Sequence, residues 1–216
     1  MTETTLQTIL ESKVIAIVRG ISAQGVCELA QAMKQGGLRC IEVTFDHTSE
    51  AARQETLKSI CAIKAQFGHE MCIGAGTVLS VEDVGEAQRA GAEYIISPNT
   101  DAAVIKETKH LGLVSIPGAY TPSEVVFAHQ CGADVVKLFP AGILGAAYIK
   151  ALKAPLKHIP MMAVGGVTPQ NTPDFLTAGA VGVGVGGNLV SPKLVAERRF
   201  EEIAAIARQY ADAVRG

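Results

Sequence analysis

Asp134-Val135-Val136-Lys137-Leu138-Phe139-Pro140 sets one cation inside an otherwise apolar run. Val135, Val136, Leu138 and Phe139 read as a short strand buried on both faces, the kind that parallel sheets contain. Lys137 is at its centre, where an ammonium is costly to desolvate and its pKa is driven down. A lysine so tuned is a nucleophilic amine, the group that condenses with carbonyl carbons. A second reading fits the fragment equally well: a structural lysine, paired with a buried acid or reaching water at the strand end.

Outward from that strand, helix and strand signals alternate in both directions. Downstream, a helix is expected over residues 146–153, a strand over 161–164, a helix between 168 and 177 and a strand over 181–185. Ser191-Pro192 then opens a final helix expected to run unbroken to Arg215. Upstream, a strand over 113–117 leads to a helix capped by Thr121 with Pro122 in its first turn, and a strand over 94–98 precedes a helix over 102–110. Before these come a strand over 71–77 with a helix capped by Ser80 and reaching Ala90, and a strand over 40–45 with a helix from Ser49 stopped by Gly68. A strand over 14–20, a helix capped by Ser22 and ended by Gly36-Gly37, and a short helical pattern over 6–11 complete the chain.

These are eight strand–helix units, none leaving room for a second domain, so residues 1–216 read as a single domain. Strands joined by helices run parallel, which makes the class α/β, and eight such units close into a (β/α)₈ TIM barrel. An open doubly wound sheet calls instead for a Gly-rich fingerprint after the first strand; Arg19-Gly20-Ile21-Ser22 is not one.

The formal net charge of −2 offers no electrostatic case for nucleic acid or a membrane surface, so an anionic ligand must be held by local donors. With 48% hydrophobic but only 5% aromatic residues, the composition suits aliphatic layers rather than a disordered or fibrous chain. Cys27, Cys40, Cys61, Cys72 and Cys131 are odd in number and lack CxxC spacing; they read as small buried hydrophobes in a reducing compartment. No apolar run nears the length of a membrane span, and the polar start shows no signal-peptide pattern, so a cytoplasmic protein is expected.

In such a barrel the chemistry gathers at the C-terminal strand ends, here Arg19, Glu42, Thr44, Thr77, Ser97, Asn99 and Lys137. Glu42, between Ile41 and Val43, is either the buried salt-bridge partner of Lys137 or Arg19, or a proton shuttle beside the amine. Two buried charges without function carry a large desolvation cost, which favours the shuttle. Arg19 offers a planar bidentate donor to a carboxylate or phosphate; the plainer reading is a surface arginine at a strand end. Thr77 follows Gly74-Ala75-Gly76, whose missing side chains are expected to let a substrate approach the backbone. Gly165-Gly166 and Gly186-Gly187-Asn188 follow the seventh and eighth strands, the usual phosphate position of this architecture, unless they serve only as tight turns. His47 is a further candidate substrate contact. No HxH or HExxH spacing and no nucleophile elbow occurs, so neither a metal site nor a serine hydrolase is expected.

With Ile41-Glu42-Val43-Thr44, Gly74-Ala75-Gly76-Thr77-Val78-Leu79, Ile96-Ser97-Pro98, Ile116-Pro117-Gly118, Val136-Lys137-Leu138-Phe139-Pro140 and Gly165-Gly166-Val167 in place, the chain resembles the bacterial 2-keto-3-deoxy-6-phosphogluconate aldolase family, also known as 4-hydroxy-2-oxoglutarate aldolases. The likeness spans nearly the whole length. It implies a class I aldolase, a carbon–carbon lyase that releases pyruvate and an aldehyde, with Lys137 as the Schiff-base lysine and Glu42 as general acid and base through a water. It further implies that Arg19 and Thr77 receive the pyruvate carboxylate, that Pro98 and Phe139 wall the pocket, and that the Gly165-Gly166 and Gly187-Asn188 loops take a phosphate. A metal-independent homotrimer acting on a small keto acid and a phosphorylated aldehyde is also implied. Two positions depart from the pattern: Asp46 stands where some members carry arginine, and Asn188 where others carry serine. The related 6-phosphogalactonate aldolases share Arg19-Gly20 and the run Ala163-Val164-Gly165-Gly166-Val167-Thr168-Pro169, so gluco and galacto substrates both stay open. So do an isomerase-type barrel without a covalent lysine and a non-catalytic phosphosugar-binding barrel.

Overall fold

A computed structural model describes residues 2–215. Each buried apolar strand is returned to the same end of the sheet by a helix, so all pairings are parallel. In chain order the elements are α1 (Thr2–Ser12), β1 (Val14–Val18), α2 (Ala23–Gln35), β2 (Cys40–Thr44), α3 (Glu50–Phe67), β3 (Cys72–Gly76), α4 (Val81–Ala90), β4 (Tyr94–Ile96), α5 (Ala102–His110) and β5 (Val114–Ile116). There follow β6 (Gly118–Ala119), α6 (Pro122–Gln130), β7 (Val136–Leu138), α7 (Ala141–Lys153), β8 (Met161–Val164), α8 (Thr172–Thr177), β9 (Gly182–Val185), α9 (Pro192–Ala196) and α10 (Phe200–Ala213).

The strand order β5-β4-β3-β2-β1-β9-β8-β7-β6 wraps the sheet through the β1–β9 pair into a nearly closed barrel. The fifth expected strand, over 113–117, forms as β5; β6 is a further two-residue strand beyond Pro117, which has no N–H for a ladder and separates the two. β5 pairs with β4 and β6 with β7. Gly118 makes that crossing possible, since a Cβ there would lie 2.3 Å from the Pro98 carbonyl oxygen.

Two apolar layers result. One lies between helices and barrel; the other fills the barrel itself with Ile15, Tyr94, Ile96, Val114, Ile116, Val135, Met162 and Val164. Ile9 of α1 belongs to this inner layer, so α1 stoppers the N-terminal end and leaves the opposite mouth for chemistry. The caps read from sequence at Ser49, Ser80 and Thr121 are present, the last two as capping boxes with Asp83 and Glu124; each is worth about 1 kcal/mol.

Four expectations need correction. The final helix is two, α9 and α10, because Arg198 takes a left-handed φ of 56° that ends the hydrogen-bond ladder. Ser22 occupies the N-cap of α2 without a side-chain bond; Glu55 Oε1 instead accepts from Ala23 N at 2.8 Å. The segment after β7 is already helical from Ala141, interrupted at Gly145 with a φ of 75°. Cys61 is exposed on α3, and Cys27, Cys72 and Cys131 are half-buried, which leaves Cys40 as the one fully buried thiol among the described residues.

Candidate active site

Register determines what stands beside Glu42. On β2 it lies opposite Ile17 of β1 and Gly74 of β3, and Gly74 in turn lies opposite Tyr94 of β4. Glu42 is 1% exposed. Its carboxylate occupies the space that a side chain at Gly76 would fill, a Cβ there falling 1.7 Å from Oε1. The ring of Tyr94 likewise fills the space over Gly74, with Cε2 2.0 Å from the Cβ position. The expectation that Gly74 and Gly76 expose backbone to a substrate is therefore corrected: protein side chains occupy both gaps.

Lys137 reaches the same interior from β7, opposite Gly118 and Met162, and is 7% exposed. Its Nζ is 4.9 Å from the centroid of the Phe139 ring. Burial pushes the ammonium pKa below its ordinary value, the Glu42 carboxylate offsets part of that, and the Arg19 charge adds to it. Burial pushes the Glu42 carboxyl upward, against the pull of Lys137 and Arg19. Each group thus leans toward its neutral form, as an amine nucleophile and a proton carrier require. Glu42 Oε2 has no hydrogen-bond partner among the described residues, so the group is not locked into a structural bridge.

Above them opens a cavity of about 540 Å³. Arg19, Glu42, Thr77, Pro98, Lys137, Phe139, Gly165, Gly166, Gly187 and Asn188 all line it, whereas Thr44, His47, Ser97 and Asn99, also expected near the mouth, do not. Arg19 is exposed at the rim. Thr77 holds a left-handed φ of 54°, and its carbonyl accepts a 2.8 Å bond from His47 Nε2 when that nitrogen is protonated. His47 also stacks on Phe45, and it lies outside the cavity lining; it braces the Thr77 turn. Ser97 donates to the Val78 carbonyl at 2.7 Å and ties the end of β4 to the same turn. Gly165 and Gly166 have φ of 90° and 73°, a conformation that suits glycine. A Cβ on Gly166 would also meet Gly142 at 2.9 Å. Asn188 donates through Nδ2 to the Val167 carbonyl at 2.8 Å, joining the two glycine loops. That carbonyl also accepts from the buried Tyr210 hydroxyl at 3.1 Å.

Sequence reasoning missed the apolar lining by Ile17, Val164 and Val190, because buried aliphatics in strands carry no mark of facing a cavity. Among the described residues no three of His, Cys, Asp and Glu come together as metal ligands would.

The profile of the KDPG and KHG aldolase family matches residues 6–206. The chain belongs to that family. It is an aldolase, a carbon–carbon lyase. It is 36% identical to the 2-dehydro-3-deoxy-6-phosphogalactonate aldolase of Escherichia coli (strain K12), over 93% of this chain and 95% of that one. To the 2-dehydro-3-deoxy-phosphogluconate aldolase of Treponema pallidum (strain Nichols) it is 31% identical, over 91% of each chain. The solved native KDPGal structure superposes with a TM-score of 0.84 at 35% identity, covering 94% of both chains.

Proposed function

We propose that this aldolase cleaves a 2-keto-3-deoxy-6-phospho sugar acid to pyruvate and a phosphorylated aldehyde through an imine on Lys137. The observation that carries the proposal is the pairing of two buried ionisable groups on one cavity, with burial pushing the lysine pKa down and the carboxyl pKa up. Neutral Lys137 adds to the C2 carbonyl, and loss of water leaves a protonated imine. Glu42, through a water, takes the proton of the C4 hydroxyl. The C3–C4 bond then breaks, its electron pair entering the iminium as an enamine while the aldehyde departs. Glu42 returns the proton to C3, and hydrolysis frees pyruvate and the amine. The iminium is the electron sink, so these steps call on no metal or further cofactor.

Arg19 and Thr77 are assigned the keto-acid carboxylate, Pro98 and Phe139 the pocket walls, and Gly165, Gly166, Gly187 and Asn188 the phosphate. Of the two named relatives the galactonate aldolase is the more similar, which favours the galacto-configured acid. Exposed Leu79, Val81, Tyr120, Phe127 and Ile143 are large apolar surfaces that a homotrimer covers, and we assign the enzyme to the cytoplasm.

The test is a panel of phosphorylated and unphosphorylated keto acids of both configurations, assayed for pyruvate release with EDTA present. Borohydride with pyruvate should add mass at Lys137. Binding without pyruvate release across the panel would mark a sugar-binding barrel instead, and turnover without any adduct would sink the imine. Light scattering of the eluted protein checks the trimer.

A further inference from the structure

Tyr94 is fully buried, and its hydroxyl has no protein hydrogen-bond partner among the described residues. An orphan hydroxyl in an apolar core is unfavourable, and such groups are found bonded to protein or to ordered water. On β2, Glu42 Oε2 and Thr44 Oγ1 are likewise buried without a partner among the described residues. Glu42 and Tyr94 are two strands apart across Gly74, about 9.5 Å between backbones at ordinary strand spacing. At the Gly74 Cβ position Cδ2, Cε2 and Cζ lie within 2.3, 2.0 and 2.4 Å, so the tyrosine ring covers Gly74 on the strand between β4 and β2.

Burial raises the Tyr94 pKa well above its ordinary value, and the nearby Cys40 and Glu42 of β2, then Cys72 and Glu93, raise it further. Around Glu42 the charged neighbours are Lys137 from β7 and Arg19 after β1. The Tyr94 ring covers Gly74 and the Glu42 carboxylate covers Gly76, two residues further along the same face of β3, so the phenol lies below the carboxylate, on the side away from the cavity mouth.

We propose that Tyr94 is a positioning residue for the acid–base carboxylate, its hydroxyl donating through one buried water to Glu42 Oε2. The bond sets the rotamer that places Oε1 against Gly76, and it favours the ionised carboxylate, the form that accepts the C4 hydroxyl proton. The inference rests on the catalytic role given to Glu42 above, but its geometry does not, and the experiment separates the two.

The carboxyl titration of Glu42 is followed by NMR in protein carrying isotope-labelled glutamate, with the Glu42 signal identified by its loss in Glu42→Gln. Tyr94→Phe removes one oxygen and keeps the ring over Gly74. It is expected to raise the Glu42 titration midpoint by about one pH unit, the scale of one hydrogen bond to a charged group. The acid limb of kcat should move up in step, and Tyr94→Phe in the Glu42→Gln background should lower kcat by no further factor. An unmoved midpoint, or the same loss in both backgrounds, overturns the proposal. Failure of the wild type to release pyruvate overturns the aldol reading alone, because the midpoint is read without turnover.

Discussion

Gly76→Ala tests the geometry around Glu42 most directly. The new Cβ would sit 1.7 Å from Oε1, 2.5 Å from Cδ and 2.8 Å from Cγ of Glu42, where Cβ contacts below 3.0 Å essentially never occur. Oε1 must therefore retreat by at least about 1.3 Å, and because Cγ is also too close the whole side chain must swing. The strands are held in register at Glu42–Gly74 and Thr44–Gly76 and buried on both sides, so little of the shift passes into the backbone. A misplacement of that size at a catalytic group costs about 10²-fold in rate. Steady-state pyruvate release should show kcat reduced by about that factor with KM little changed, and overpacking should lower stability by about 1–3 kcal/mol. Borohydride trapping of pyruvate should persist, since Lys137 lies across the barrel on β7. A folded Gly76→Ala protein whose kcat stays within about threefold of wild type would refute the placement of the carboxylate. Loss of trapping in parallel with kcat would show that the damage is not confined to Glu42.

Lys137→Met should abolish both pyruvate release and the borohydride adduct while leaving a folded protein, read by intact mass and thermal melting; residual covalent trapping would move the imine elsewhere. Glu42→Gln should be more stable than wild type near neutrality, because burial raises the carboxyl pKa above 4.5. The raised value means that the wild type's contribution from this group is full below 4.5 and is lost as pH rises through the folded pKa, so the advantage of the amide should vanish on acidification. Melting curves across that window check the sign. Asn188→Asp removes the donor to the Val167 carbonyl and puts a negative charge beside the assigned phosphate site. KM for a phosphorylated keto acid should rise by about tenfold or more with little change for the unphosphorylated one, and equal effects on both would unseat the phosphate assignment.

Much of this protein is written locally in its chain. The alternation of apolar runs with capped helices predicts the barrel because periodicity, N-caps at Ser49, Ser80 and Thr121, and glycine stops act over a few residues. Lys137 and Glu42 are conspicuous for the same reason: a charge flanked by aliphatics inside a strand is visible without knowing its neighbours. The break of the last helix was not legible, since a left-handed arginine at 198 carries none of the signals that glycine or asparagine gives. The strand ending at Pro117 was legible, but β6 beyond it was not, because two residues, Gly118 and Ala119, carry no strand pattern and only pairing with β7 makes them one.

What only the tertiary structure decided is who stands next to whom across strands. Gly74 and Gly76 read in sequence as places for a substrate, and parallel register makes them the seats of the Tyr94 ring and the Glu42 carboxylate. Register sums contacts from residues 20 and 32 positions apart, and no local pattern encodes it. The chain by itself determined the barrel and its two buried ionisable groups. Closure of the sheet determined that they share one cavity and which neighbours hold the carboxylate in place.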